Sequence, residues 1–379
     1  MTPVRRVPVV RRAIVAALAC ATVAAACGGR GDDAPSPDAA GAGDAAVATT
    51  TTGAGPVTLT LLAHDSFTPS EGLLEEFTRA TGIGVQVALG GDAGELVAKA
   101  VLTAGAPEGD VLWGVDDTLL ARVIDARVFA PYESPELAAL DPAATALVPG
   151  RELTPVDTGD VCINYDVAWF ADRGIPPPLT LRALTSPTYR DLLVVPSPLT
   201  SSPGFAFLVG TVAEFGDGWR DWWRDLRANG VQIVNGWTEA YYDEFSGSGG
   251  ASGTGQRPIV VSYGSSPPAE VIFADPVPDE APTAVAALTC VRQVEFVGVL
   301  RGTPHEAEAR RLVDFLVGAR FQADLPLAMF VYPVRLGVAL PDAFVRHSLR
   351  PERPLAVDPR RIAAERTAWL EDFAQIVLR

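Results

Sequence analysis

Histidine is scarce here: His64, His305 and His347 are the only three in 379 residues. A zinc centre built on imidazoles needs closely spaced ligands, and these three stand far apart with no H-E-x-x-H among them. The G-x-S-x-G elbow of hydrolases and the phosphate-cradling G-x-x-x-x-G-K-[ST] loop are absent as well. His64, Asp65 and Ser66 are adjacent in the chain, yet neighbours on an extended strand point to opposite faces and cannot form a relay among themselves. The sequence shows no catalytic set, no metal set and no cofactor-binding motif, so the expectation is a non-enzymatic protein without a cofactor. A secreted hydrolase that uses His64 with a distant carboxylate is the enzymatic alternative.

Basic side chains are also in deficit, with 30 Lys and Arg against 46 Asp and Glu, a net charge of −16. That balance argues against nucleic acid as a partner and favours cationic ligands through a long-range field. One long apolar run exists, Ala13 to Ala26, behind Arg5, Arg6, Arg11 and Arg12. It is shorter than the roughly 20 residues of a spanning helix, and with its basic flank it reads as an export signal over 1–26. Without those residues 26 basic side chains face 46 acidic ones, a net of −20.

Cysteine is sparse too, with four residues. Cys27 follows the small-residue end of the signal and precedes a segment over 27–56, rich in Ala, Gly, Thr, Asp and Pro, that cannot bury enough apolar surface to fold. This arrangement resembles a bacterial lipoprotein signal with Cys27 as the lipidated residue; Cys20 is a second candidate, and plain cleavage near Ala26 the third reading. Cys162 and Cys290 remain in the exported body, where their spacing is compatible with a disulfide and with two buried thiols.

What the chain does contain is alternation. Val57–Ala63, Val85–Leu89 and Asp110–Val115 read as strands, separated by helical patterns over Glu71–Thr81 and Ala93–Thr103. This β-α-β-α-β order starts a parallel sheet with crossover helices. Further on, the patterning predicts a helix over Leu119–Val128, an extended segment over Val156–Tyr165, a strand over Asp191–Val195 and helices over Phe205–Phe215 and Trp219–Ala228. A long apolar strand over Leu288–Leu300, a helix over Pro304–Gly318 and a C-terminal helix over Pro359–Val377 complete the reading. Gly247–Gln256 reads as a flexible surface insert.

The stretch from Asn235 to Pro268 carries the strongest signal for a ligand cleft. Trp237, Tyr241 and Tyr242 precede an apolar strand that ends in Ser262, Tyr263, Gly264, Ser265 and Ser266. In α/β folds ligands gather where strands end, and an aromatic face is worth about 0.5–2 kcal/mol against a desolvated cation. Thr200, Ser201 and Ser202 before a helix start form a further candidate rim. The end of the first strand at His64 and the Leu325–Val334 segment with Phe330 are two more.

Seven short motifs in order resemble those of the thiamine-binding proteins of ABC importers, within the extracytoplasmic solute-binding superfamily. They are Asp65-Ser66-Phe67, Gly114-Val115-Asp116, Thr200 to Gly204, Gly236 to Tyr241, Ser262 to Pro267, Tyr332 to Val334 and Ala363 to Trp369. The resemblance covers about Val57 to Arg379 and implies an α/β, two-lobed periplasmic-binding-protein (type II) fold that closes on its ligand. Its lobes would be 57–156 with 292–335 and 157–291 with 336–379. It implies that Asp65, Ser66, Asp116, Ser201, Trp237 and Tyr263 line the cleft, to which the residues themselves add His64, Tyr241, Ser265 and Phe330. The partners implied are thiamine or a thiamine-like cation and a membrane permease, with the chain a monomer outside the cytoplasm. Four positions depart from the family pattern: His64 and Ala269 where aromatics are usual, Glu71 and Phe330 where tryptophan is. Tyr241 and Tyr242 beside Asp243 and Glu244 offer hard oxygen donors, so a ferric-ion receptor of the same superfamily is the alternative.

Overall fold

Strands β1 (Thr58–Ala63), β2 (Gly84–Leu89) and β3 (Val111–Asp116) form the parallel unit that the sequence pattern predicts, with β1 between the other two. The computed structural model describes residues 57–249, 255–377 and 379. The export signal with Cys20, the tether with Cys27, and the middle of the Gly247–Gln256 insert lie outside the described residues. Every residue of β3 is buried, as a parallel strand covered on both faces requires. Helices α1 (Leu73–Thr81) and α2 (Ala93–Leu102) make the crossovers.

From α3 (Leu120–Asp125) the chain departs from the expected longer helix. Arg127 adopts a left-handed φ of 53°, which ends the helical run and frees β4 (Phe129–Ala130) to pair with Val299 and Leu300. After α4 (Pro142–Thr145), strand β5 (Thr154–Asp166) runs for 13 residues into α5 (Val167–Arg173). Strand β6 (Leu193–Pro196) leads to α6 (Ser202–Phe215). This helix starts three residues earlier than the pattern suggests, because Ser201 caps it and Pro203, with φ already helical, sits in its first turn. Helix α7 (Trp219–Ala228), strand β7 (Gln232–Val234), a π-helical turn over Glu239–Glu244, β8 (Ile259–Tyr263) and α8 (Pro267–Ile272) follow. Strand β9 (Thr283–Leu300) is longer than expected, its first residues held by pairing with the end of β5. Short helices α9 (Glu306–Leu316), α10 (Ala319–Gln322) and α11 (Leu325–Ala328) precede β10 (Tyr332–Pro333), and α12 (Asp342–His347) and α13 (Pro359–Val377) end the chain.

The sheet order is β2-β1-β3-β9-β5-β8-β6-β7. Strands β5 and β9 lie antiparallel along most of their length, and each serves two apolar cores. Val156 of β5 and Val294, Phe296 and Val299 of β9 join Leu61, Trp113 and Phe321 in the first core. Val161 and Ile163 of β5 and Ala286 and Val291 of β9 join Phe207, Trp223 and Phe373 in the second. Between the cores the same strands carry polar residues: Arg292 pairs with Asp160 at 2.8 Å, and Arg350 donates to the Thr158 hydroxyl at 3.2 Å. The fold is a two-lobed α/β structure, with β5, β9 and the short β10 as the segments that pass between cores.

Cys162 and Cys290 form a disulfide that ties β5 to β9 across 128 residues of sequence. The spacing had left their state open, and the pairing of these two strands decides it. A cross-link over so long a loop removes many unfolded conformations. Replacing both cysteines by alanine is expected to lower the unfolding free energy by about 2–4 kcal/mol, measured by denaturant titration with the oxidised parent as reference.

Candidate functional site

A cleft of about 480 Å³ opens between the two cores. The first contributes His64, Asp65, Ser66, Asp92 and Glu295, and the 328–331 segment; the second contributes Ser202, Asn235, Trp237, Tyr241, Tyr242, Tyr263 and Ala269. The strand ends of β1, β7 and β8 and the first turns of α2 and α6 converge here, as expected for an open α/β sheet.

The aromatic wall is built on the π-helical turn. Its wider winding, closed by the Phe245 N–H to the Ala240 carbonyl at 3.1 Å, places Tyr241 inward and Tyr242 at the surface, 2% and 37% exposed. Trp237 stacks on Tyr241 with ring centroids 5.1 Å apart and meets Tyr242 and Tyr263 edge-on. Its indole N–H donates to the Ser262 hydroxyl at 2.9 Å, and the Tyr263 hydroxyl donates to Gln293 at 3.1 Å. Tyr241 donates to Glu270 at 2.9 Å, and burial, with Glu270 beside it, holds its phenol well above the ordinary range. That phenol is committed to Glu270 rather than offered to a metal as a phenolate. Among the described residues no group of three His, Cys, Asp or Glu is placed to hold a metal ion. At the opposite rim Phe330 adopts a φ of 55°, rare for a bulky residue, and its ring meets Phe273 at 5.6 Å.

The acidic wall follows from strand register. Asp116 of β3, Glu295 of β9 and Asp157 of β5 are direct cross-strand partners, so three carboxyl groups stand side by side on one face. Like charges in such positions repel. Burial, with Glu295 alongside, pushes the Asp157 carboxyl far above its usual range, and burial pushes Asp116 up as well. Asp117, half-buried beside Asp116, is raised to about 8 by desolvation and by the neighbouring carboxyl. Only Glu295 of the row reaches the cleft, where its Oε2 meets His64 Nε2 at 3.4 Å. Burial alone would lower the imidazole pKa, but the charge and hydrogen bond of Glu295, with Asp92 and Asp65 nearby, outweigh it and raise the value. Gly114 makes the pair possible: it has a φ of 98°, and a Cβ there would lie 2.3 Å from His64 Cδ2.

Of the residues that the sequence singled out, His64, Asp65, Ser66, Trp237, Tyr241, Tyr263 and Phe330 line the cleft. Asp116, Ser201 and Ser265 do not; each is at most 1% exposed and stands behind the wall. Asp116 accepts from the Thr118 backbone at 2.6 Å, and Ser201 caps α6. Glu71, at the position of a usual tryptophan, is exposed outside the cleft. Sequence reasoning missed Asp92 and Glu295. A capping aspartate before α2 was the available signal for the first, and nothing in local sequence marked the second.

The family described as bacterial extracellular solute-binding protein matches residues 109–363, two thirds of the chain. The chain belongs to that family. A thiamine-binding periplasmic protein of Salmonella typhimurium is 26% identical to this solute-binding protein over 325 residues, covering 85% of this chain and 94% of the relative. Among solved structures, a periplasmic thiamin binding protein superposes with a TM-score of 0.73 at 24% identity, covering 85% of this chain and 96% of the other. Iron-bound HitA from Pseudomonas aeruginosa gives 0.63 at 21% identity, with 84% of this chain and 99% of that chain covered. These superpositions establish the two-lobed fold. Family membership places the protein outside the cytoplasm, and no described helix is long and apolar enough to cross a membrane.

The carboxyl row yields a stability prediction. Asp157 keeps its proton in the folded state well past the value of about 4 at which an unfolded chain loses it. Its contribution is therefore full at acid pH and is lost as pH rises toward the folded pKa. Asp157→Asn is expected to be more stable than the parent at pH 8, with the advantage shrinking toward pH 4, as read by thermal melts across that interval.

Proposed function

We propose that this protein is the extracytoplasmic receptor of an ABC importer and captures thiamine or a closely similar cation, which it hands to a membrane permease. The observation that carries the reading is the pairing of the two walls. Trp237, Tyr242 and Tyr263 present aromatic rings, while Asp65, Asp92, Glu239, Asp243 and Glu295 present carboxylates, and the lining contains neither lysine nor arginine. A thiazolium ring, permanently charged and flat, gains from both surfaces, and the hydroxyls and amides of Ser66, Ser202 and Asn235 suit the hydrogen bonds of a pyrimidine. The thiamine-binding relatives support the same reading and weigh against the ferric-ion alternative.

Capture works by lobe closure: contacts from both walls exist only in the closed form, so ligand stabilises it over the open one. No bond is made or broken. The core memberships support lobes at 57–156 with 292–335 and 157–291 with 336–379, and we assign Cys27 as the lipid anchor of a monomeric receptor.

Calorimetric titration with thiamine is expected to give one-to-one binding, and Trp237→Ala should weaken it about tenfold or more, within the range of a desolvated cation–aromatic contact. Absence of any heat or thermal shift with thiamine would sink the ligand assignment. A second expectation concerns His64. Its raised pKa reflects the partnership with Glu295, and a cationic ligand competes for that carboxylate. Thiamine affinity should therefore rise with pH as His64 loses its proton above about 6.5, with proton release visible as a buffer-dependent enthalpy, and His64→Gln should flatten the profile.

A further inference from the structure

Asp92 is the cleft residue whose contacts run mostly to the opposite wall. It caps α2, a helix seated on the first core through Leu96 and Val97, by accepting from the Ala93 N–H at 2.7 Å. Its other contacts belong to elements of the second core: Oδ1 accepts from the Ser202 N–H at 3.2 Å, and Oδ2 accepts from the Trp237 N–H at 3.0 Å. Burial raises its carboxyl pKa above the ordinary range, and the Trp237 and Ser202 N–H groups, the His64 ring and the Ser201 hydroxyl oppose that rise. The carboxylate thus sits at the first turns of α2 and α6 together, where unpaired N–H groups and helix dipoles both favour an anion.

The surrounding contacts show how closely the walls approach at this point. A Cβ at Gly94 would stand 2.4 Å from the Thr200 carbonyl oxygen and 2.8 Å from its carbon, so only a glycine permits this backbone proximity. Beside it Asn235 Nδ2 donates to Glu95 at 3.2 Å, and the hydroxyls of Ser66 and Thr238 lie 3.4 Å apart.

We propose that Asp92 is the interlobe latch of this receptor, a positioning residue that holds the Trp237 backbone across the cleft and sets how long a ligand is retained. The inference rests on the reading of this cleft as the ligand site. In an open form Asp92 would keep its own helix cap but lose both N–H partners to water, so those two charge-assisted bonds count toward closure alone. Gly94 supplies the clearance the latch needs.

Two variants separate the latch from the helix cap. Asp92→Ser retains a good cap for α2 with a side chain too short to reach Ser202 and Trp237. Gly94→Ala raises the helix propensity of α2 but sets a methyl group against Thr200. Both should keep the parent's far-ultraviolet circular dichroism. In small-angle X-ray scattering without ligand, both should show a larger radius of gyration than the parent. Stopped-flow chase of bound thiamine should give release at least tenfold faster, with association changed less than threefold. Scattering and release rates equal to the parent's in both variants would overturn the latch. If the parent itself fails to bind thiamine, the ligand assignment falls, and the scattering comparison still decides: expansion supports the latch and an unchanged radius overturns it.

Discussion

The antiparallel pairing of β5 with β9 is the interaction on which the rest of the structure depends. Each strand lends one stretch to the first core and another to the second, so neither core is complete without both. The disulfide between Cys162 and Cys290 fastens this pair on the side of the second core. Polar residues occupy the stretch between cores, where Arg292 and Asp160 pair and Arg350 reaches Thr158. Apolar packing fixes each lobe internally, whereas the span between them is held by backbone ladder and a few polar contacts. That division is what a closing receptor needs, since hinge bending leaves packed cores intact.

The same pairing creates the electrostatics of the cleft. Register alone brings Asp116, Glu295 and Asp157 abreast, and burial raises the carboxyl pKa of the outer two. Glu295 is the member of the row that stands where the sheet meets the cavity, and His64 Nε2 is 3.4 Å from its Oε2 there. A bound organic cation would share that carboxylate with the imidazole and rest against the rings of the opposite wall. The chain's excess of acid acts in the same direction at long range, though the local row is the stronger influence because it lies in a poorly solvated floor.

Much of the fold was legible in the chain. Alternation marked β1 to β3, helical spacing marked α2, α7 and α13 within a residue or so, and six of the seven motifs fell at strands or helix starts, with Ala363 to Trp369 inside α13. The errors have local physical causes: Arg127 in a left-handed conformation cut a helix short, and the cap at Ser201 with Pro203 started another early. The aromatic wall was also legible, because Trp237, Tyr241 and Tyr242 lie within one turn and a half of chain. The family resemblance implies that Asp116 and Ser201 line the cleft, and the strand end adds Ser265, yet all three stand one layer behind the surface.

By itself the sequence determined which segments become strands and helices, the acidic balance, and the chemistry available at each strand end, because these follow from short-range periodicity and side-chain type. Tertiary structure alone decided the union of Cys162 with Cys290, the meeting of His64 with Glu295 across 231 positions, and the reach of Asp92 to Ser202 and Trp237. The reason is geometric. Which of two neighbouring residues faces a cleft, and which distant carboxylate it meets there, depends on the register of strands far apart in the chain, and no local pattern encodes that register.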